Sequence, residues 1–347
     1  MRGLRKVLTP FAPDQSGAVS VLYSMGALTV VIDAGGCTGN ICGFDEPRWH
    51  TARSAVFSAG LRDIDAILGR DDLLIRKLEW AVRAAQSRPE TKDAFRFIAL
   101  VATPVPAVIG TDYEALARIA EKKTGLRCVP IAANGMKLYD RGAELAWTAL
   151  FRKFAGAAEK SGTVGVIGYT PLDFDARTRA PFKAAFGECA VYGLDTGLDA
   201  LQAAGGVREN VVIAPSGIAA AKFLKQKFGT PYRMLDPFAE KLLRPEMEQG
   251  PKKILIVHQA VTAATLEGLI QARNPAAQIT KASWFMTPPE CGSFVTLREE
   301  DDFTALVQRG GYDLIVADAV MRDLAPEFDG LWIDARHFAV SGRTERT

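Results

Sequence analysis

The sequence is poor in the residue types that most often build an active site or a disulfide framework. It has only three histidines (His50, His258 and His337) and five cysteines in 347 residues. Five is an odd number, and disulfide-stapled proteins are usually small and carry even sets of cysteines. We therefore expect thiols, with a metal or redox role open to some of them. Chemistry based on histidine has few candidates.

Long apolar runs and a strong net charge are also missing. No apolar run reaches the roughly 18 residues that a membrane span needs. The basic start, residues 1–6, is followed by prolines rather than by a signal-peptide apolar region. The formal net charge is +2, so no overall basic field attracts nucleic acid or a membrane surface. The sequence predicts a cytoplasmic protein with no nucleic-acid partner and no membrane partner.

Two nucleotide-binding motifs are absent as well. The sequence contains no G-x-x-x-x-G-K-[ST] motif, so we do not expect this chain to hydrolyse ATP. The glycine-rich segment Gly162–Tyr169 lacks the G-x-G-x-x-G spacing that places a dinucleotide at the end of a strand.

What the sequence does contain is a recurring strand-then-helix pattern. Short apolar runs that end at a breaker are typical of buried parallel strands, and they occur at 28–33, 95–102, 162–169, 210–214, 252–258 and 312–318. Strands that alternate with helices imply parallel sheets with crossover connections. With a linker at Arg244–Pro251, the pattern predicts three Rossmann-like α/β domains around a central cleft, at 1–157, 158–248 and 249–347.

The first part of the chain carries motifs of a known family. Residues 11–18 and then 33–37 resemble a Gly-Ala element that precedes a strand ending in a glycine-cysteine turn. Residues 54–60 resemble a short acidic-to-glycine segment, and 102–112 resemble the strand-end signature Thr-Cys-x-x-x-Val-Ile-Gly-x-Asp. Together these motifs resemble the nitrogenase component 1-like oxidoreductases, which include nitrogenase molybdenum–iron protein subunits and dark-operative reductase catalytic subunits. The later segments are similar in the order and spacing of their α/β units.

The resemblance implies an iron–sulfur site, with a departure from the usual ligands. In the family, three cysteines of this domain hold a cluster at a subunit interface. Cys37 matches the middle one, whereas Pro13 and Pro104 stand at the other two positions and have no donor for iron. A homodimer that supplies Cys37 and Cys42 twice would give the four thiolates of a [4Fe–4S] cluster. Four glycines would let the backbone approach that cluster: Gly35, Gly36, Gly39 and Gly43.

Other interpretations of this Gly-Cys loop (residues 35–43) and of the chain stay open. The loop could be a tight strand-to-helix turn with two buried, inert thiols. As to function, the resemblance implies an oxidoreductase subunit, homodimeric or in a paralogous heterodimer. It would pass electrons from an ATP-dependent iron-protein reductase to a small-molecule substrate. The alternatives are a scaffold or carrier in metal-cluster assembly, and a ligand-binding protein that has lost the redox chemistry. No catalytic residue is identified.

Several other residues are weaker candidates. Cys128 and Cys189 lie in strand-like segments, so we expect them in the core. Cys291 lies in a proline-rich loop, where a surface thiol is expected and a ligand or nucleophile is the alternative. His258 ends an apolar strand, where it would either contact a ligand or be a strand-end histidine with satisfied hydrogen bonds. Four residues after the Gly-Cys loop are candidates for oxygen ligation or charge tuning: Asp45, Glu46, Arg48 and His50.

Overall fold

The structure is a computed structural model of the whole chain. The residues that it describes are 5–33, 36, 38, 39, 41, 54–62, 64, 65, 68–89, 92, 95–174, 178–194, 196–250 and 252–343.

The first unit is a four-stranded parallel sheet with helices on both faces. Its elements in chain order are α1 (Asp14–Ser24), β1 (Ala27–Val31), β2 (Ala55–Ser58), α2 (Asp71–Gln86), β3 (Phe97–Val101), α3 (Pro104–Val108), α4 (Tyr113–Thr124), β4 (Arg127–Ile131) and α5 (Tyr139–Phe154). The strand order is β2-β1-β3-β4, with every pair parallel. Strands β1 and β3 are apolar or threonine throughout and buried at every position, because helices cover both faces.

Helices α1 and α5 cross with their backbones in contact. A Cβ at Gly17 would lie 1.8 Å from the carbonyl oxygen of Tyr139, and a Cβ at Gly142 would lie 1.7 Å from that of Asp14. Only glycine permits so close an approach. The crossing is completed by the Tyr139 N–H, which donates to the Ala12 carbonyl at 2.9 Å. It places the first turns of both helices side by side.

The second unit repeats the pattern with shorter elements. They are β5 (Val164–Ile167), α6 (Ala180–Phe186), β6 (Cys189–Val191), α7 (Leu198–Gln202), β7 (Glu209–Val212), α8 (Ile218–Phe228) and β8 (Tyr232–Met234), with 3-10 turns at Ala204–Gly206 and Pro215–Gly217. The strand order is β6-β5-β7-β8, again wholly parallel.

The third unit is a five-stranded parallel sheet with the order β11-β10-β9-β12-β13. Its elements are β9 (Lys253–Val257), α9 (Ala260–Arg273), β10 (Gln278–Ser283), β11 (Val295–Thr296), α10 (Glu300–Gly310), β12 (Leu314–Ala317), β13 (Leu331–Asp334) and α11 (Phe338–Ser341). Further 3-10 turns lie at Ala239–Leu242, Pro245–Met247, Pro289–Cys291 and Ala319–Leu324.

The fold class expected from the sequence is confirmed: three α/β units, each built on a parallel sheet. The domain boundaries remain a prediction. The expected linker packs closely at its centre, because Met247 is fully buried and the Asn274 side chain donates to the carbonyls of Met247 and Gly250 at 3.0 and 2.8 Å. Among the described residues, every helix is too short or too polar to cross a membrane.

Candidate functional site

The Gly-Cys loop leaves the first sheet at its topological switch point. The chain runs from β1 to β2 on one side and then to β3 on the other, so a crevice forms beyond the carboxyl ends of β1 and β3. The Thr103 hydroxyl, just after β3, donates to the Ile32 carbonyl at 2.6 Å and fixes the two strand ends together. Open α/β sheets bind ligands in this crevice.

The described part of the loop presents open backbone. Gly36 has a φ of +86°, and a Cβ at Gly36 or Gly39 would have no atom within 4 Å among the described residues. The Asp33 carboxylate accepts from the Thr38 N–H at 3.0 Å, which holds the turn after β1. The Thr38 hydroxyl is buried without a hydrogen-bond partner in the described part of the chain. A bulky group could therefore approach the backbone closely here.

The predicted ligands themselves are not among these residues. Gly35, Cys37, Cys42 and Gly43 lie outside the described residues, as do Asp45, Glu46, Arg48 and His50. In the ranges that the structure describes, no three side chains of the His, Cys, Asp or Glu type converge on one metal position. The iron ligands at Cys37 and Cys42 thus stay a prediction.

The two prolines at the family's other ligand positions flank this crevice. Pro13 precedes α1 and forms an isolated bridge with Leu138, and Pro104 is the first residue of α3. Gly135 lies between the two helix starts: a Cβ there would be 2.6 Å from Pro104 Cγ and 2.9 Å from Gln15 Nε2. The two positions are therefore on neighbouring helix starts, and neither supplies a side-chain donor.

A second candidate site is a cavity of about 570 Å³ between the three units. Its lining comes from the loops after β4, β7 and β10, all at the carboxyl edges of their sheets. Trp284, Phe285 and Met286, after β10, form one wall, and Pro215 and Ile218, after β7, also line the cavity. This position and size are typical of small-molecule sites.

Six charged residues also line the cavity: Lys137, Asp140, Arg141, Glu144, Lys222 and Glu290. Arg141 pairs with Glu144 at 3.0 Å, and Lys222 pairs with Glu290. The oxygens of Asp140 accept from the backbone N–H groups of Arg141 at 2.9 Å and Met286 at 2.5 Å. The Lys137 ammonium has no partner among the described residues.

Asp140 is the lining residue of this cavity whose pKa lies near neutral pH. Burial raises its pKa, the Met286 N–H opposes the rise and the charge of Asp173 adds to it, with a resulting pKa of about 6. A carboxyl group that changes charge near neutral pH beside a cavity is a candidate for proton transfer.

Behind the aromatic wall lies a buried polar junction with one residue from each unit. The Tyr139 hydroxyl donates to Asp173 Oδ1 at 2.5 Å. His337 Nε2 is 3.0 Å from the same oxygen and 2.9 Å from the Tyr139 hydroxyl. Burial and the nearby Asp173 hold the pKa of Tyr139 well above its ordinary value, so the phenol keeps its proton and remains a donor. Phe285 packs edge-on against Tyr139 and His337 and separates the junction from the cavity.

His258, at the end of β9, extends this junction and does not line the cavity. Its ring stacks on His337 with centroids 4.7 Å apart, and its Nε2 is 3.2 Å from the Arg336 carbonyl oxygen. Burial lowers its pKa to about 3, so the ring is neutral at physiological pH. Its Nδ1 lacks a partner in the described part of the chain.

The structure agrees with the sequence analysis on two of the other three cysteines and differs on the third. Cys128 and Cys189 are buried, as predicted. The prediction of a surface thiol at Cys291 was wrong, because the turn Pro289–Cys291 directs this side chain into the core. Its Sγ lies 3.8 Å from the Met234 sulfur, and burial raises its pKa to about 11. The Cys291 thiol is therefore protonated and weakly nucleophilic.

Sequence reasoning missed Tyr139, Asp140 and Asp173. No motif marks them, since they become neighbours of other units only through the three-dimensional arrangement. One signal was available: Asp140 stands at the start of the helix after β4, and residues just beyond strand ends face ligand crevices in α/β sheets.

These features define a class: an α/β protein of three doubly wound units, with a glycine-rich loop at the switch point of the first sheet and a cavity between the units. Residues 16–239 match the family described as nitrogenase component 1 type oxidoreductase, and the chain belongs to this family. The expected family resemblance is therefore confirmed. Proteins of this family bind metal–sulfur clusters, work with an ATP-dependent iron protein and form oligomers.

The individual proteins that resemble this chain share less than 30% of its residues in the matched regions. The chain is 28% identical over 182 residues to the nitrogenase iron-molybdenum cofactor biosynthesis protein NifE of Clostridium pasteurianum. That match covers 51% of this chain but only 38% of the relative. Among solved structures, nitrogenase Cp1 at pH 6.5 has a TM-score of 0.70 at 13% identity, covering 96% of this chain and 87% of that one. Nitrogenase Cp1 at pH 5 has a TM-score of 0.66 at 14% identity, covering 96% and 84%. At 13–14% identity, these comparisons show that the fold is shared.

Proposed function

We propose that this protein holds an iron–sulfur cluster in transit, as a scaffold or carrier in metal-cluster assembly. The observation that carries the proposal is the glycine backbone at Gly36 and Gly39, which no described residue crowds, beside prolines at two ligand positions of the family. A site with few fixed ligands suits a cluster that must leave again.

The chemistry of the donor set limits how a cluster would be held. Pro13 and Pro104 offer no donor, so each chain supplies the thiolates of Cys37 and Cys42. A [4Fe–4S] cluster takes four thiolates, and a twofold axis beside the loop would provide them from two copies. Among the described residues, no atom lies within 4 Å of a Cβ placed on Gly36 or Gly39, so none of these residues blocks such a group. The cluster would supply one-electron redox chemistry, and the chain would supply its ligands and its surroundings.

Two further observations support assembly over turnover. The curated relative similar to half of this chain carries a name from cofactor biosynthesis. The cavity between the units is lined by aromatic, aliphatic, methionine and charged residues, and its described lining includes no thiol or imidazole. This described lining therefore does not fit a resident metal cofactor that cysteine or histidine would hold there.

The second candidate function is the oxidoreductase subunit, and Asp140 favours it. Reduction of a small molecule consumes protons, and a carboxyl group with a pKa of about 6 can deliver them near neutral pH. In this case the protein would take electrons from an ATP-dependent iron-protein reductase and pass them to a small substrate bound in the cavity.

An anaerobic transfer assay separates the two. The purified protein is mixed with apo-ferredoxin, and the visible spectrum of the separated ferredoxin is recorded. A carrier gives up its cluster, so the ferredoxin gains colour within minutes while this protein loses iron. If the protein keeps its cluster and instead bleaches on addition of a reductase with ATP, the oxidoreductase is the correct function.

A further inference from the structure

We infer that Asn134 is a deamidation site that the folded chain keeps closed, with Asp14 as the residue that guards it. Asn134 lies in the loop between β4 and α5, and Asp14 is the first residue of α1. The site is separate from the Gly-Cys loop, so the inference goes beyond the proposed cluster carrier.

The sequence singles out Asn134 by its neighbour. The chain has four asparagines, and Asn134 is the one that precedes a glycine. Glycine has no Cβ, so the backbone nitrogen of Gly135 can approach the side-chain carbonyl carbon of Asn134 without steric hindrance. The other three asparagines precede larger or ring-closed residues, at Asn40-Ile41, Asn210-Val211 and Asn274-Pro275.

The reaction needs no partner other than water. The Gly135 nitrogen loses its proton and bonds to Cγ of Asn134, the Cγ–Nδ2 bond breaks, and Nδ2 takes up a proton and leaves as ammonia. The resulting cyclic succinimide adds one water molecule and opens at either carbonyl, which leaves aspartate or isoaspartate at position 134. No electrons are transferred. Asparagine is among the thermolabile residue types.

The loop itself activates the amide. Oδ1 of Asn134 accepts from the Met136 N–H at 2.9 Å, which forms an Asx turn. A hydrogen bond to this oxygen draws electron density from Cγ and makes that carbon a better target for a nucleophile, as donors at an oxyanion do. Asn134 and Gly135 are half-buried and Met136 is exposed, so water reaches the loop.

Asp14 holds the attacking nitrogen. Its carboxylate accepts from the Gly135 N–H at 2.8 Å and from the Asn134 N–H at 3.0 Å. Cyclisation requires the Gly135 nitrogen to give up its proton, and the adjacent negative charge disfavours this deprotonation. Asp14 is only 1% exposed, so water screens these bonds little. The guard therefore acts on the nucleophile, whereas the Asx turn acts on the carbon under attack.

The backbone of Gly135 is also confined. Its φ is +74°, and a Cβ there would lie 2.6 Å from Pro104 Cγ and 2.9 Å from Gln15 Nε2. With two helix starts this close, the loop has little room to reorganise for ring closure. We therefore expect the reaction to proceed from locally opened chains.

The product would act against the guard. Aspartate or isoaspartate at position 134 adds a negative charge beside the Asp14 carboxylate, and isoaspartate also lengthens the backbone by one methylene group. Like charges at close range repel. Modification would therefore loosen the attachment of the β4–α5 loop to the start of α1.

Mass spectrometry of tryptic peptides tests the inference in the full chain. The protein is incubated in mildly alkaline buffer, once folded and once in urea, and the conversion of amide to acid is followed over days. We expect Asn134 to deamidate at least about tenfold faster in urea, and Asn210 and Asn274 to react slowly in both conditions. These three asparagines fall in separate tryptic peptides, at 128–137, 209–222 and 274–281.

A pair of substitutions isolates the guard. Asp14→Ala removes both acceptor oxygens and should raise the rate at Asn134 in the folded protein about tenfold. Asp112→Ala is the matched control, because Asp112 likewise accepts a backbone N–H at a helix start, that of Ala115. It should leave the rate at Asn134 unchanged. Circular dichroism in the incubation buffer confirms that each variant is folded.

Two results would overturn the inference: equal rates at Asn134 in the folded and the urea-unfolded chain, or equal rates in folded Asp14→Ala and Asp112→Ala. If Asp14→Ala does not fold, the pair Asp14→Asn and Asp112→Asn gives the same comparison, because asparagine keeps one acceptor oxygen. None of these readouts depends on iron, so failure here and failure of the proposed carrier function are separate results.

Discussion

At the scale of single residues, buried groups set the pH response. His258 is neutral and packed against His337. Burial disfavours the protonated, charged form of its ring. The pKa of its ring is about 3 in the folded chain, against an ordinary value near 6.5. The unfolded chain therefore binds more protons between these two pH values.

This difference has a definite sign. Because His258 is a base with a lowered pKa in the folded chain, the free energy of unfolding is highest above pH about 6.5. It decreases as the pH falls below that value. We expect the free energy of unfolding to decrease by a few kcal/mol from pH 7 to pH 4 through His258 alone. His258→Gln keeps a donor for the Arg336 carbonyl but does not titrate. Its urea denaturation curves should show a shallower pH dependence over that range, and an unchanged slope would contradict the assignment.

Residue identity also explains which parts of the site the sequence could predict. Cys37 and its glycines are recognisable because cysteine and glycine have few roles and a motif fixes their spacing. Asp140, Tyr139 and Asp173 belong to common residue types in unremarkable segments, and their chemistry comes from neighbours more than 30 positions away. Cys291 shows the converse error, since a proline-rich segment looks like a surface loop although its turn packs inward.

At the scale of elements, the helix crossing of α1 and α5 positions both candidate sites. It holds Pro13 beside the crevice of the first sheet and Asp140 beside the cavity. Gly142 makes the crossing possible, because any Cβ there would overlap the Asp14 carbonyl.

We expect Gly142→Ala to destabilise the protein by roughly 2–4 kcal/mol, as overpacking against backbone does. Gly268→Ala is the matched control, since Gly268 lies in the interior of α9, on its exposed side, with no described atom within 4 Å of the added methyl. That substitution should stabilise by about 0.5–1 kcal/mol through helix propensity. Thermal unfolding of both variants provides the comparison. Similar melting temperatures would show that the crossing tolerates a side chain.

The elements themselves were largely predictable. The apolar run at 28–33 overlaps β1, and the runs at 95–102 and 252–258 contain β3 and β9, because strands buried on both faces leave a continuous apolar signature. Helix α4 begins directly after Asp112, and the Asp112 carboxylate caps it by accepting from the Ala115 N–H. The cavity could not be predicted in this way, since it depends on how three sheets meet.

At the scale of the whole molecule, the junction of Tyr139, Asp173 and His337 joins the three units through one shared oxygen. Removing the tyrosine hydroxyl leaves a buried carboxylate with one donor fewer.

Tyr139→Phe should therefore lower the free energy of unfolding by about 1–3 kcal/mol. The control is Tyr192→Phe, because the Tyr192 hydroxyl is buried without a hydrogen-bond partner among the described residues, so its removal should cost little or should stabilise. Guanidinium denaturation measures both. If the two variants lose equal stability, the junction does not act as a shared hydrogen-bond site.

The central claim concerns the Gly-Cys loop, where two thiolates per chain would hold one cluster between two copies. Its most direct test is iron and acid-labile sulfide content after strictly anaerobic purification, combined with the mass of the protein in solution. We predict a dimer with about four irons and four sulfides, no iron in Cys37→Ser or Cys42→Ser, and an unchanged cluster in the buried-thiol control Cys128→Ser. An iron-free dimer, or a cluster that survives in Cys37→Ser, would contradict the claim.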